Sequence, residues 1–116
     1  MRDKSEMAIV KHDFTMSTIV SYMSDTRLGV AVLVDKKGKL TGIITDGDLR
    51  RNINDLLNSS PIDVATLSPI TVKPTDLVSY ALEKMEKHKI YAVIVIEEDQ
   101  PIGLLRMHDI LLSGIK

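Results

Sequence analysis

The apolar residues of this chain recur at two spacings, one typical of helices and one typical of strands. A set spaced i, i+3, i+4 and i+7 consists of Met16, Ile19, Val20 and Met23. This stripe predicts an amphipathic helix over about 15–24 that turns one face toward a core. Residues 30–34 are all apolar but too few for a helix, and a charged turn at 35–38 separates them from a second apolar run at 40–44. The two runs predict a β-hairpin.

Both halves of the chain predict the same order of elements, which is strand, helix, strand, strand, helix. In the first half a strand at 8–10 comes before the helix, and a last helix is expected over 49–57, with Asp48 capping its free amides. The equivalent elements of the second half are expected as a strand at 70–72, a helix at about 75–88, strands near 91–95 and 101–105, and a short helix from Asp109. Prolines and small polar residues at 58–69 predict a connector.

The two halves also match residue by residue. Residues 31–49 align on residues 92–110 without a gap, which places Asp48 on Asp109. A repeat too small to be stable alone usually buries its apolar face against its twin, so we expect one shared core and a ligand in the cleft between the copies. The predicted units are repeat 1 at 1–57, the connector at 58–69 and repeat 2 at 70–116.

Composition excludes several classes of function. The 116 residues carry a formal net charge of −1 and a pI near 6.3, so they lack the basic surface typical of nucleic-acid binding. The absence of cysteine excludes disulfides and thiolate chemistry. The N-terminus lacks a signal-peptide pattern, and no stretch approaches the roughly 20 apolar residues of a membrane helix. We therefore expect a soluble, cytoplasmic protein that binds neither nucleic acid nor membrane.

The segment 42–48, Gly-Ile-Ile-Thr-Asp-Gly-Asp, is the strongest candidate for binding chemistry. It runs from the end of a buried strand through a turn to a helix start, where amides attract phosphate and a carboxylate accepts hydrogen bonds from ribose hydroxyls. Gly47 would let a ligand approach the backbone. The structural alternative is that Thr45 and Asp48 cap the helix and that Gly47 relieves a tight turn. The recurrence of the acid at Asp109 lowers the weight of that alternative.

A few charged residues near this segment need their own interpretation. Arg50 and Arg51 begin the predicted last helix, where positive charge opposes the helix dipole. A phosphate in the cleft, solvent exposure or contact with a partner domain would each explain them. The histidines are far apart, and Asp46 and Asp48 have no third acid beside them, so we expect no metal site. No nucleophile with a positioned base appears, and the chain is expected to be non-catalytic.

The repeated order of elements, with Gly-hydrophobic-hydrophobic-Ser/Thr-x-x-Asp at the end of the last strand, resembles a tandem pair of cystathionine β-synthase (CBS) domains. The resemblance covers nearly the whole chain and implies an α+β fold of two β-α-β-β-α repeats, related by a pseudo-twofold axis and sharing one core. Residues 28–29, 45–51, 107–111 and 114–115 are also similar to the C-terminal region of the KpsF/GutQ family of isomerases. Those enzymes interconvert D-arabinose 5-phosphate and D-ribulose 5-phosphate.

The resemblance implies one ligand site across the interface of the repeats. Asp48 would accept hydrogen bonds from the ribose hydroxyls, and Thr45 would bind near the ribose or the phosphate. The apolar side chains implied around the ligand, with the last three against its base, are Ile43, Ile70, Ile90 and Tyr91.

A second, weaker site is implied at the equivalent place in the other repeat. Asp109 is kept there, but Arg106 stands where Ser or Thr is expected. Arg106 would either bind a phosphate directly or fill the cleft and form a salt bridge with an acid. We favour the salt bridge, so the two sites are expected to be unequal.

The resemblance implies a regulatory module without catalytic activity, because the sugar-isomerase domain of that family lies outside these residues. Its ligand would be AMP, CMP or a CMP-linked acidic sugar, and no cofactor would be required. Its partners would be the sugar-isomerase domain of the same full-length protein and a second copy in a homodimer. The alternative is a ligand-free structural dimerisation module in which both clefts stay empty.

Overall fold

The computed structural model describes residues 2–3 and 6–112. Its helices are α1 (Met16–Thr26), α2 (Asp46–Arg51), α3 (Pro61–Val64), α4 (Val78–His88) and α5 (Met107–Leu112), with a 3-10 helix at Ile53–Asn58. Its strands are β1 (Arg2–Asp3), β2 (Ala8–Lys11), β3 (Val30–Val34), β4 (Leu40–Thr45), β5 (Thr66–Leu67), β6 (Thr71–Val72), β7 (Ala92–Glu97) and β8 (Gln100–Arg106). Within the described residues, no helix combines the length and the apolar character needed to cross a bilayer.

The strands form two four-stranded sheets, one for each half of the chain. In the first sheet the order is β2-β3-β4-β5, with β2 parallel to β3 and β3 antiparallel to β4. In the second the order is β6-β7-β8-β1, with β6 parallel to β7 and β7 antiparallel to β8. The shared pairing pattern confirms two equivalent repeats in an α+β fold, and both predicted hairpins are present.

Each sheet is completed by a short strand from the segment that precedes the other repeat. At the start of the chain, β1 pairs antiparallel with β8, where Arg2 lies opposite Leu104. Ahead of the second repeat, β5 pairs antiparallel with β4, where Thr66 lies opposite Ile43. The hydrophobic pattern did not predict these strands, because two residues are too few to show an alternation. The exchange joins the two halves through backbone hydrogen bonds.

Helix α1 forms where its apolar stripe predicted it, and α4 lies within the helix expected at about 75–88. Thr15 caps α1 by accepting a hydrogen bond of 3.2 Å from the backbone amide of Thr18. Both helices are followed by a basic residue in the left-handed conformation, Arg27 with φ of 58° and Lys89 with φ of 55°. Helix α4 begins at Val78, later than predicted, because the residues before it form a turn.

The prediction of a helix over 49–57 is wrong in its start and its form. Helix α2 begins at Asp46, and Ile53–Asn58 forms a 3-10 helix after it. The N-cap is Thr45, which already has the extended backbone that an N-cap requires, and Asp48 lies inside the helix at its third position. Helix α5 likewise begins earlier than predicted, directly after β8.

Three apolar clusters hold the fold together. One packs α1 against the first sheet through residues such as Met16, Ile19 and Met23, and another packs α4 against the second through Ala81 and Met85. The third lies between the halves and consists of Met7, Val32, Val34, Ile94 and Leu104. Full burial of one such side chain stabilises a fold by about 1.5–3 kcal/mol. Because the third cluster contains side chains from both repeats, it confirms that the repeats share a core.

Candidate functional site

A cleft of about 980 Å³ lies between the two halves of the molecule. Its walls come from the β4–α2 junction of the first repeat and from the start of β7 and the β8–α5 junction of the second. The sequence-predicted residues that line it are Ile43, Thr45, Gly47, Ile70, Ile90, Tyr91 and Arg106. Asp48 contacts lining residues without lining the cleft itself, and Asp109 lines a separate cavity of about 300 Å³. The fold thus brings residues from both repeats around one space large enough for a small-molecule ligand.

Thr45 and Asp48 form a reciprocal cap at the start of α2. The amide of Asp48 donates to Oγ1 of Thr45 over 3.3 Å, and the amide of Thr45 donates to Oδ2 of Asp48 over 2.9 Å. The Thr45 hydroxyl also donates to Oδ2, over 3.1 Å. This is the capping-box arrangement, which satisfies two backbone amides that a helix start would leave unpaired. The capping role weighed for these two residues is therefore present in the structure.

The second carboxylate oxygen of Asp48 is held by two side chains that line the cleft. Nη2 of Arg51 lies 2.6 Å from Oδ1, and the Thr66 hydroxyl donates to the same atom over 3.1 Å. The residue is 4% exposed, and it is the one buried charged residue found in the part of the chain at 6–112. Burial of a carboxylate is costly unless it is paired and hydrogen-bonded, and both conditions are met here. The Asp48 carboxylate thus connects the cap of α2, the side chain of Arg51 and strand β5 through hydrogen bonds.

Gly47 is needed for space and not for backbone conformation. The glycines with positive φ in the described chain are Gly29 and Gly38, so Gly47 does not relieve a strained turn, and only this part of the structural alternative is wrong. A Cβ at Gly47 would lie 3.2 Å from Nη1 of Arg51 and 3.6 Å from Oγ1 of Thr45. Glycine therefore leaves room for the Arg51 guanidinium to pack close to the backbone at the edge of the cleft.

The equivalent motif of the second repeat is joined by an ion pair. Nε of Arg106 donates to Oδ2 of Asp109 and Nη2 donates to Oδ1, each over 3.0 Å. Both side chains are mostly buried, with 22% and 20% of their surfaces exposed. Two parallel bonds of this kind fix the planes of the guanidinium and the carboxylate. Of the two alternatives for Arg106, the structure contains the salt bridge to an acid, and the guanidinium also lines the main cleft.

The charged side chains that line the cleft are mostly basic. Arg51, Lys89 and Arg106 line it, together with His108, against the single acid Asp46. Arg51 and Arg106 are each paired with a carboxylate, that of Asp48 and that of Asp109, which offsets much of their charge. An anionic ligand would therefore bind through charge-assisted hydrogen bonds to these cations and to Lys89.

Lys89 and Thr66 are among the lining residues that sequence reasoning missed. Lys89 directly precedes Ile90, which was predicted to line the cleft. Its position in the sequence could therefore have indicated that it lines the cleft as well. Thr66 offered no signal, because its contact with Asp48 depends on the unpredicted strand β5. Across residues 6–112, no three His, Asp or Glu side chains gather in a way that could hold a metal ion.

A family model for the CBS domain matches the chain twice, at residues 3–55 and 62–114. Arabinose 5-phosphate isomerase KdsD of Pseudomonas aeruginosa is 41% identical over 97 residues, covering 80% of this chain and 30% of that protein. The KdsD of Yersinia pestis is 36% identical over 118 residues, covering 99% of this chain and 36% of that protein. The chain spans about a third of the length of these curated relatives.

Solved structures share the architecture at lower identity. CBSX2, crystallised in complex with AMP, superposes with a TM-score of 0.87 at 18% identity, covering 99% of this chain and 92% of that one. The CBS domain pair of protein MJ0100, in complex with 5′-methylthioadenosine and S-adenosyl-L-methionine, superposes with a TM-score of 0.83 at 22% identity, covering 98% of this chain and 99% of that one. These likenesses show the fold.

Proposed function

The chain belongs to the CBS domain family, with two copies of the domain in tandem, and on that premise we propose that it is a regulatory module that binds a nucleotide or nucleotide sugar. The observation that carries this proposal is the cleft of about 980 Å³ between the repeats, lined by basic and apolar side chains. Ligand sites are commonly concave, mostly apolar and supplied with a few polar groups that fix orientation.

The residues around the cleft suit the parts of a nucleotide. Ile70, Ile90 and Tyr91 provide apolar surface for a base, and Tyr91 is 77% exposed, which leaves its ring free to stack. Asp48 would accept the ribose hydroxyls, with Thr45 beside it. Basic side chains would balance the phosphate charge. CBSX2 and MJ0100 were crystallised with adenosyl ligands, so AMP is a candidate, alongside CMP and a CMP-linked acidic sugar.

The module would act on a sugar-isomerase domain of the same full-length protein. KdsD proteins are arabinose 5-phosphate isomerases about three times as long as the region matched here, so the activity would reside outside this chain. A ligand shifts an enzyme between states only when its affinity for those states differs. Binding in the cleft would alter the relative position of the repeats and thereby bias the isomerase domain. We place this full-length protein in the cytoplasm, where phosphorylated sugars are metabolised.

A second candidate function is ligand-free dimerisation. It is favoured by large apolar side chains that stay exposed, including Leu77 and Leu112 at 73% each and Leu57 at 69%. Surfaces of this kind mark interaction sites when they are contiguous. A homodimer is proposed in either case, and sedimentation of the protein at micromolar concentration measures it directly.

Titration with AMP, CMP and a CMP-linked acidic sugar separates the two functions. Calorimetry and thermal melting are run in parallel on the same protein. At a ligand concentration 100 times Kd, binding to the folded state adds about 2.7 kcal/mol to stability, which is easily detected. If no nucleotide shifts the melting temperature at millimolar concentration, the dimerisation function is the correct one.

A further inference from the structure

All acceptor positions of the Asp48 carboxylate are already in use. Each carboxylate oxygen accepts about two hydrogen bonds. Oδ2 accepts from the amide and the hydroxyl of Thr45, over 2.9 and 3.1 Å. Oδ1 accepts from Arg51 and from the Thr66 hydroxyl, over 2.6 and 3.1 Å. A ribose hydroxyl can therefore reach this carboxylate only by displacing one of these donors.

Arg51 is the donor that is able to leave. The bond from the Thr45 amide belongs to the cap of α2, and the short side chains of Thr45 and Thr66 are held beside the carboxylate by the backbone of that cap and of β5. The side chain of Arg51 is 67% exposed and lines the cleft, so it can rotate into solvent or toward a ligand without disturbing the fold. The space above Gly47 accommodates the guanidinium in its present position, 3.2 Å from where a Cβ would be.

We propose that Arg51 is a displaceable side chain that makes this site select phosphorylated nucleosides over unphosphorylated ones. In the structure its guanidinium donates to Oδ1 of Asp48, the acceptor that a ribose hydroxyl needs. A nucleoside that displaces Arg51 breaks its ion pair with Asp48 and offers the guanidinium no anionic partner in exchange. A nucleotide supplies a phosphate, and the guanidinium exchanges the carboxylate for the phosphate oxygens, for which its planar fork is equally suited.

This inference rests on the proposed function, because it assumes that a nucleotide enters the cleft. It adds a specificity-determining residue outside the Gly-hydrophobic-hydrophobic-Ser/Thr-x-x-Asp pattern. Every ligand binds only to the molecules in which Arg51 has left Oδ1, so its apparent affinity is reduced in proportion to their fraction. A phosphate group offsets this loss of affinity because it binds the displaced guanidinium.

The test is calorimetric titration of AMP and adenosine into the wild-type protein and three variants. Arg51→Gln is the main variant, and Arg50→Gln is the matched control, because Arg50 is the exposed neighbour that does not line the cleft. In Arg51→Gln, adenosine should bind about two- to fivefold more tightly, since a partly exposed ion pair no longer competes. AMP should bind roughly tenfold more weakly, because a charge-assisted bond to the phosphate is lost. The Arg50→Gln variant should keep the wild-type ratio.

Arg51→Lys is the third variant and guards against a folding defect. It retains the positive charge for phosphate, so the preference for AMP should remain, and its melting temperature reports whether the cap region stays folded. If Arg51→Gln changes the AMP-to-adenosine ratio no more than Arg50→Gln does, Arg51 is not the selecting residue, although nucleotide binding stands. The wild type and the variants are also titrated with CMP and the CMP-linked acidic sugar. If none of AMP, CMP and this sugar binds at millimolar concentration, the proposed function fails, and this inference fails with it.

Discussion

Arg106 binds the carboxylate of Asp109 through two parallel hydrogen bonds of 3.0 Å, at the place where the first repeat has Thr45 beside Asp48. The two acids are equivalent in the repeat but differ in their partners. The exposed side chain of Arg51 holds Asp48, whereas the mostly buried side chain of Arg106 holds Asp109. A ligand can displace the exposed partner more readily than the buried one, so we expect the two motifs to be unequal as binding sites.

Replacing each acid by alanine should separate their roles. Asp48→Ala should weaken AMP binding at least tenfold, because hydrogen bonds to a charged group contribute about 1.5–3 kcal/mol each. Asp109→Ala should change the affinity by less than about threefold, since its carboxylate is held by the mostly buried Arg106, which a ligand displaces less readily than Arg51. Calorimetry measures both affinities, and melting curves show whether each variant is folded. Equal losses of affinity in the two variants would contradict the inequality of the sites.

Replacing Arg106 by serine should create a second binding position. Serine restores the residue type expected in the motif and removes the guanidinium both from the cleft and from the Asp109 carboxylate. The calorimetric stoichiometry of AMP should rise from one to two per chain. Arg106→Lys is the control, because it keeps a cation near Asp109 and should keep the stoichiometry at one. A serine variant that still binds a single AMP would show that Arg106 is not what closes the second site.

The capping box predicts a loss of stability on mutation of Thr45. Thr45→Ala removes the acceptor for the Asp48 amide and a donor to the Asp48 carboxylate. Loss of an N-cap of this kind costs about 1–2 kcal/mol. Urea unfolding should show a lower midpoint with an unchanged slope, whereas Thr45→Ser, which retains the hydroxyl, should stay close to wild type. An alanine variant as stable as the serine variant would show that the cap contributes little.

The hydrogen bonds accepted by Asp35 predict that the turn between β3 and β4 is sensitive to acid. Its Oδ1 accepts hydrogen bonds from the amides of Lys39 and Lys37, over 3.0 and 2.8 Å. The bond from the Lys39 amide is the main cause that lowers the pKa of Asp35 below its usual 3.8, assisted by the Lys37 amide and the charges of His12 and Lys39. Burial opposes this lowering and is the second-largest influence on the pKa of Asp35.

The sign of the effect follows from the lowered pKa of Asp35 in the folded state. The ionised carboxylate stabilises the fold above the unfolded-state pKa, and that contribution is lost as the pH falls through the folded-state value. Melting temperatures measured from about pH 7 down to about pH 2 should therefore fall less steeply for Asp35→Asn than for wild type below about pH 4, so that the two curves converge in acid. Parallel curves for the two proteins would show that Asp35 does not contribute to acid sensitivity.

Local patterns predicted the parts of the fold that depend on residues close together in the chain. The stripe Met16, Ile19, Val20 and Met23 located α1, and the apolar run Val30–Val34 located β3. The gapless match between the halves also identified Asp48 and Asp109 as equivalent residues. The sequence pattern gave the wrong first residue for α2. Thr45 and Asp48 are both good capping residues, and only the backbone conformation decides which of them is the N-cap.

The site was harder to predict than the fold, because it depends more strongly on contacts between residues that are far apart in the sequence. Sequence spacing left Arg50 and Arg51 indistinguishable, and the fold turns only the latter toward Asp48 and the cleft. Thr66 reaches Asp48 across 18 positions of sequence because β5 adds to the sheet of the other repeat.

The sequence by itself determined the duplication, the alternation of helices and strands, and the residues that the two motifs share. These features are encoded in periodicities and in identities at a fixed offset, which need no knowledge of three-dimensional contacts. Only the tertiary structure decided that the repeats exchange strands, that a cleft stays open between them, and that each acid is paired with a different arginine. Those properties arise from packing between the two halves, where short strands and single side chains make contacts that no local pattern records.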